Sequence, residues 1–161
     1  MEMITMAGTG LALLGATLAI ALSAAGTARG TGYIGEAGSG LLTEDPSKFS
    51  KILILSVIPG SNALYGLVIW FMALAQLGAF TGELAVLDFN QGLAFLAACI
   101  PMAVGGGIAA VAQGRVAAAA IGLLARREEE WAKGIILCIL IEFFAILSLL
   151  ASFLTIVSIP I

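Results

Sequence analysis

Glu142 stands alone in the run IILCILIEFFAILS at 135–148, with no residue of opposite charge within a helical turn. It follows Lys133 by nine residues, and at about 1.5 Å per residue a helix would carry it roughly 13 Å from that base. An ionisable group at such depth in a membrane is costly unless it is paired, protonated or coordinating an ion, so its default reading is functional. The structural alternative is a neutral glutamic acid bridging two helices. Other polar side chains fall at matching depth. Ser61 and Asn62 lie ten and eleven residues past Lys51, Tyr65 is one turn further along the face of Ser61, and Gln113 sits in another apolar stretch. Together they offer a hydroxyl, two amide carbonyls and a carboxylate, an all-oxygen set suited to a hard cation. One formal negative charge matches a monovalent ion better than a divalent one. Taken singly, Ser61, Asn62 or Gln113 would more often be helix-to-helix glue. Pro59, just before this group, removes a backbone donor and frees a carbonyl, a break tolerated in membranes where something else satisfies the freed group.

These residues need elements that hold them at one depth. The chain has 161 residues, 61% apolar and 11% charged, well below the roughly 25% charged share of soluble domains. Apolar stretches at about 8–28, 52–76, 92–114 and 134–161 are each near or above the ~20 residues that cross a bilayer. The expected fold is therefore all-α and membrane-embedded with four transmembrane helices. Histidine is absent, which removes the commonest metal ligand and general base. Cys99 and Cys138 lie in apolar spans and read as small hydrophobes. The opening MEMITMAGTG carries an acid and no base, unlike the cationic start of a cleaved secretory signal, so the first span is expected to be retained. The seven basic residues are expected in or beside the connections after spans 1 and 3, while LGAFTGELAVLDFNQG between spans 2 and 3 has acids and no base. By the positive-inside tendency, loops 43–51 and 126–133 face the cytoplasm and both termini face out.

The chain also reads as a duplication, with one hairpin at 1–80 and a second, carrying the carboxylate, at 81–161. DPSKFSKILILSVIPG lies over REEEWAKGIILCILIE, with Lys51 over Lys133 and Gly60 over Glu142. TARGTGYIGEAGSGLL lies over VAQGRVAAAAIGLLA mainly through small residues, with Gly30 over Gly114. The halves point the same way through the membrane, a parallel repeat. Spans 1 and 3 are crowded with Gly and Ala, the means by which membrane helices approach closely, and suit the inner layer of an oligomer. Spans 2 and 4 carry bulky Leu, Ile and Phe and suit an outer, lipid-facing layer. Asp45 and Pro46 read as a helix cap and first helical position, and Glu128 to Glu130 as the first turn of span 4.

IPGSNALYG (58–66), AVAQGRVAAAA (110–120) and ILIEFFAIL (139–147), spaced through this duplicated chain, resemble the proteolipid of the membrane rotor ring of bacterial and archaeal V-type ATPases. The resemblance covers essentially the whole length. It implies a homo-oligomeric ring of about ten copies, turning against a stator membrane subunit with an essential arginine and docked on a cytosolic central stalk. By the resemblance, Na⁺ or H⁺ is carried on Glu142. The ligands in sodium-carrying members match the Ile58 backbone carbonyl, Ser61, Asn62, Gln113 and Glu142, with Tyr65 locking the carboxylate. Asn62 departs from the pattern, standing where those members usually have Gln, one methylene longer. Sodium is the favoured ion and the proton the alternative. No organic cofactor and no nucleic-acid partner are expected. Any ATP hydrolysis would belong to other subunits, since no phosphate-binding G-x-x-x-x-G-K-[ST] loop is present.

A second class of function is a small four-helix, proton-coupled multidrug exporter. That architecture would set the carboxylate nearer the chain start and leaves the parallel duplication unexplained. A third, a structural tetraspan protein, leaves Glu142 without a role.

Overall fold

The computed structural model describes the backbone of residues 2–161 and side chains from Ala7 onward. The acid and the missing base of the first residues therefore fall largely outside the described side chains. The helices are α1 (Glu2–Glu44), α2 (Phe49–Val57), α3 (Gly60–Gln76), α4 (Phe89–Arg126) and α5 (Trp131–Ser158), with short 3-10 turns at Pro46–Lys48 and Glu128–Glu130. No strand occurs among the described residues. Four helical stretches are long and apolar enough to cross a membrane: Ala7–Glu44, Pro46–Gln76, Phe89–Arg126 and Glu128–Ser158. The all-α, four-span expectation holds.

Two of the spans are longer than their apolar cores. α1 runs on through RGTGYIGEAGSGLLTE and α4 through GRVAAAAIGLLAR, because glycine- and alanine-rich stretches without proline extend a helix when a close neighbour supports them. This corrects one expectation. Arg29 and Arg115 lie inside α1 and α4, fifteen and eleven residues before the helix ends, and not beside the connections.

The duplication is visible in the helix boundaries. α1 and α4 end at residues 44 and 126, the 3-10 turns begin at 46 and 128, and α2 and α5 begin at 49 and 131, a constant offset of 82. Gly60 over Glu142 obeys it. Gly30 over Gly114 does not: the frame sets Gly30 over Ala112 and Thr31 over Gln113. Gly30 and Gly114 are instead partners in space, since a Cβ on Gly114 would overlap the Gly30 backbone. Similar backbone-to-backbone contacts join Gly8 with Gly92, Gly15 with Leu96 and Gly26 with Gly107. α1 and α4 thus run parallel at van der Waals distance along their length, which only small residues allow. The small faces hold the chain together first, and those left open, such as Gly32, Gly35 and Gly122, meet nothing within 4 Å.

α3 and α5 pack outside this pair and expose Leu64, Leu67, Phe71, Ile136, Leu140 and Phe143, as suits a lipid-facing layer. Two apolar clusters fill the interior. One gathers Ala16, Ile69, Phe95, Met102 and Ile156, with Tyr65 against it. The other gathers Ile34, Leu55, Ile121, Leu124 and Cys138, with Ile58 against it.

Both connections on the expected cytoplasmic side are tight. Asp45 caps its turn, accepting from the Ser47 backbone N at 3.0 Å with Pro46 behind it, and α5 follows the acidic turn Glu128–Glu130. Hydrogen bonds from Ser47, then Lys48, hold the Asp45 carboxyl below the usual range. Lys48 and Lys51 both pair with Glu128, joining the two hairpins at one end.

Candidate ion-binding site

The break in span 2 creates the site. α2 ends at Val57 and α3 begins at Gly60, because Pro59 cannot donate to the helix ladder. The carbonyls at the break find new partners. Pro59 O accepts from Thr27 Oγ1 at 3.1 Å as well as from the Asn62 backbone N, and Ile58 O accepts from the Ser61 backbone N and lies 3.0 Å from Ser61 Oγ. The break also starts α3 so that Ser61 and Tyr65, one turn apart, face α5.

Glu142 receives three side-chain donors from two other helices. Its Oε1 accepts from Tyr65 OH at 2.5 Å, and its Oε2 from Ser61 Oγ at 2.9 Å and Gln113 Nε2 at 2.5 Å. Gln113 Oε1 in turn accepts from Asn62 Nδ2 at 2.6 Å. Asn62 and Gln113 are fully buried. Among the described residues no basic group pairs with Glu142 and no cluster of three or more His, Cys, Asp or Glu exists. The site therefore holds one formal charge. Hydrogen bonds to a charged acceptor are worth roughly 1.5–3 kcal/mol each, so three of them are comparable to or exceed the roughly 2.5–3.5 kcal/mol that insertion scales assign to a charge at mid-bilayer.

One atom is left over. Asn62 Oδ1 is buried and has no hydrogen-bond partner, a costly condition for an acceptor unless a cation or a donor answers it. Outside Glu142 an apolar cleft of about 610 Å³ is lined by Val57, Ile58, Gly60, Ser61, Leu64 and Ile139.

All the residues expected at the site meet there: Ile58 through its carbonyl, Ser61, Asn62, Tyr65, Gln113 and Glu142. Ser148 does not join them; its hydroxyl donates to Phe144 O at 3.0 Å. Two supports were not visible in the sequence. Thr27 satisfies the Pro59 carbonyl across the α1–α3 contact, and the Cys138 carbonyl accepts from Gln113 Nε2 at 3.4 Å. Neither carried a signal beyond being polar at the right depth.

The site, built from both repeats, has no repeat-related second copy among the described residues. The offset of 82 sets Gly60, Phe143, Phe144, Leu147 and Thr31 at the positions of Glu142, Ser61, Asn62, Tyr65 and Gln113.

Comparison with known proteins fits the doubling. The sequence matches the family of the ATP synthase C subunit twice, over residues 14–73 and 96–155, separated by the same 82 residues. It is 41% identical over 151 residues to the V-type sodium ATPase subunit K of Enterococcus hirae, covering 94% of this chain and 93% of that one. It is 38% identical over 130 residues to the A-type ATP synthase subunit K of Methanocaldococcus jannaschii, covering 80% of this chain and 55% of that longer one. With two family matches spanning most of its four membrane helices, the chain belongs to the C-subunit family of ATP synthases.

Proposed function

We propose that this protein is an ion-carrying subunit of the rotor ring of a V-type ATPase, with Glu142 as the carrier and Na⁺ as the ion. The observation that carries the reading is the Glu142 carboxylate, half-buried among apolar spans and held by Tyr65, Ser61 and Gln113. The names of the two relatives, a sodium ATPase subunit and an ATP synthase subunit, support it. About ten copies would close a ring, turning against a stator subunit whose arginine competes for the carboxylate, while loops 43–51 and 126–133 meet the central stalk on the cytoplasmic side.

The donor chemistry accommodates sodium. A half-turn of the Gln113 amide, matched by one of the Asn62 amide so that Asn62 Oδ1 accepts from Gln113 Nε2 in place of the present Asn62 Nδ2 to Gln113 Oε1 bond, exchanges nitrogen for oxygen beside Glu142 and removes one hydrogen bond from the carboxylate. Two oxygens then face each other, an arrangement stable only with a cation between them. The Ser61 hydroxyl, the Ile58 carbonyl and the second lone pair of Asn62 Oδ1 complete an oxygen shell for a hard monovalent ion. With the ion bound, the site is neutral and can pass lipid. Without it, the bare carboxylate resists desolvation. This chain breaks no bond itself.

Carbodiimide attacks the protonated acid, so sodium bound at Glu142 should protect it from labelling, and protection should weaken as pH falls. Glu142→Gln should abolish both labelling and transport. Labelling that follows pH alone, untouched by high sodium, makes the carried ion a proton. Labelling without loss of transport overturns the carrier role.

A further inference from the structure

Arg115 is an exposed guanidinium eleven residues inside α4, in a helix of membrane-spanning length. Within the chain it has no acidic partner among the described residues; its guanidinium carbon lies 5.6 Å from the centre of the Tyr33 ring on α1, within cation–π range. Tyr33 and Arg115 are separated by 82 residues, the repeat offset, so they occupy the same position of the two repeats. A position that meets its own counterpart across the α1–α4 contact meets it again wherever the next copy's α1 packs on α4 in the same way.

α1 carries the face such packing needs. On α4, Ala110, Gly114 and Ala117 are buried, with Ala110 and Gly114 against Gly30 of α1. Their counterparts on α1 are Ala28, Gly32 and Gly35, which are exposed, and the two glycines meet nothing within 4 Å. The counterpart of Gly26, which is closed against Gly107, is Ile108, 66% exposed.

We propose that α4 of a second copy docks on Ala28, Gly32 and Gly35 of α1 and brings its Arg115 onto the free side of Tyr33. Each guanidinium then lies between two tyrosine rings, one from its own chain and one from its neighbour. Closed around a ring, these contacts form an alternating tyrosine–arginine belt. The belt explains a base held within the membrane: each cation is shared between two aromatic faces, with Glu36 one turn beyond Tyr33 as the nearest acid along α1. The proposal rests on the ring reading given above.

The test uses two differently tagged chains lacking Cys99 and Cys138, one with Tyr33→Cys and the other with Arg115→Cys, co-expressed and purified in mild detergent. Each chain holds a single thiol, so a short bifunctional thiol reagent can join the two tags only between copies. The expected result is tag-to-tag product severalfold above a Leu53→Cys and Arg115→Cys control. Native mass spectrometry of the same sample keeps the two readings apart. Rings of normal mass without the product overturn the belt, and absence of any ring overturns the rotor reading instead. In single-variant rings, Tyr33→Leu should lower the dissociation temperature and Tyr33→Phe should keep it, because phenylalanine preserves the aromatic face. Equal stability of the two, or a loss seen only after delipidation, would give Arg115 to an anionic lipid phosphate and overturn the proposal.

Discussion

A carboxylate between apolar helices is tolerable while donors or an ion occupy its oxygens, and Glu142 has donors on both. In the proposed sodium-bound arrangement the weakest ligand would be Asn62, whose oxygen has no partner in the structure. Asn62→Gln adds one methylene and should bring that oxygen to the ion, so sodium should protect Glu142 at lower concentration; unchanged or weaker protection in a labelling titration would argue against Asn62 as a ligand. Tyr65→Phe removes one bond to a charged acceptor, worth about 1.5 kcal/mol at the low end. Sodium should then be retained roughly tenfold less tightly, and carbodiimide labelling through the neighbouring cleft should speed up. The membership of this site was legible in the sequence because helix rise is constant: counting from Lys51 and Lys133 set Ser61, Asn62 and Glu142 at one depth. Thr27 was not legible, because its use depends on which turn of α1 faces the Pro59 break.

Among the elements, α1 and α4 run parallel in close backbone contact, and glycines set their spacing. A Cβ at Gly92 would overlap the Gly8 carbonyl, whereas one at Gly122 meets nothing. Gly92→Ala and Gly114→Ala should therefore destabilise the chain by about 1–3 kcal/mol, as overpacking does, while Gly122→Ala should leave thermal stability in detergent unchanged or raised. Gly30→Leu, which would meet Ala110 O, tests this internal contact before it tests any ring. At the helix start after α1, the lowered carboxyl of Asp45 contributes stability above its unfolded value, and that contribution is lost as pH falls through the folded one. Span number and the repeat of the charged connections could be read from the sequence, since capping residues and charges are distinctive. The ends of α1 and α4 and the register of their small residues could not. Glycine-rich stretches with an arginine look like loops until a close partner is known, and Gly and Ala align equally well several ways.

For the whole molecule, the one-sided clustering of Lys48, Lys51 and Glu128 accompanies the proposed orientation. In inside-out vesicles a membrane-impermeant amine reagent should modify Lys51 and Lys133, and in sealed right-side-out cells it should spare them. The reverse pattern would invert the topology. A complex in mild detergent near ten times the chain mass is expected for the rotor ring, whereas a dimer would favour an exporter. The empty counterpart of the site bears on evolutionary history. Gly60, Phe143, Phe144, Leu147 and Thr31 would all need to change before a second carboxylate found donors. Gly60→Glu alone would strand an acid among apolar residues, so each intermediate on the way back would be worse than the present chain. Under the proposed function, no single substitution would give the chain a second carrier, and the number of ions moved per revolution would follow the number of copies.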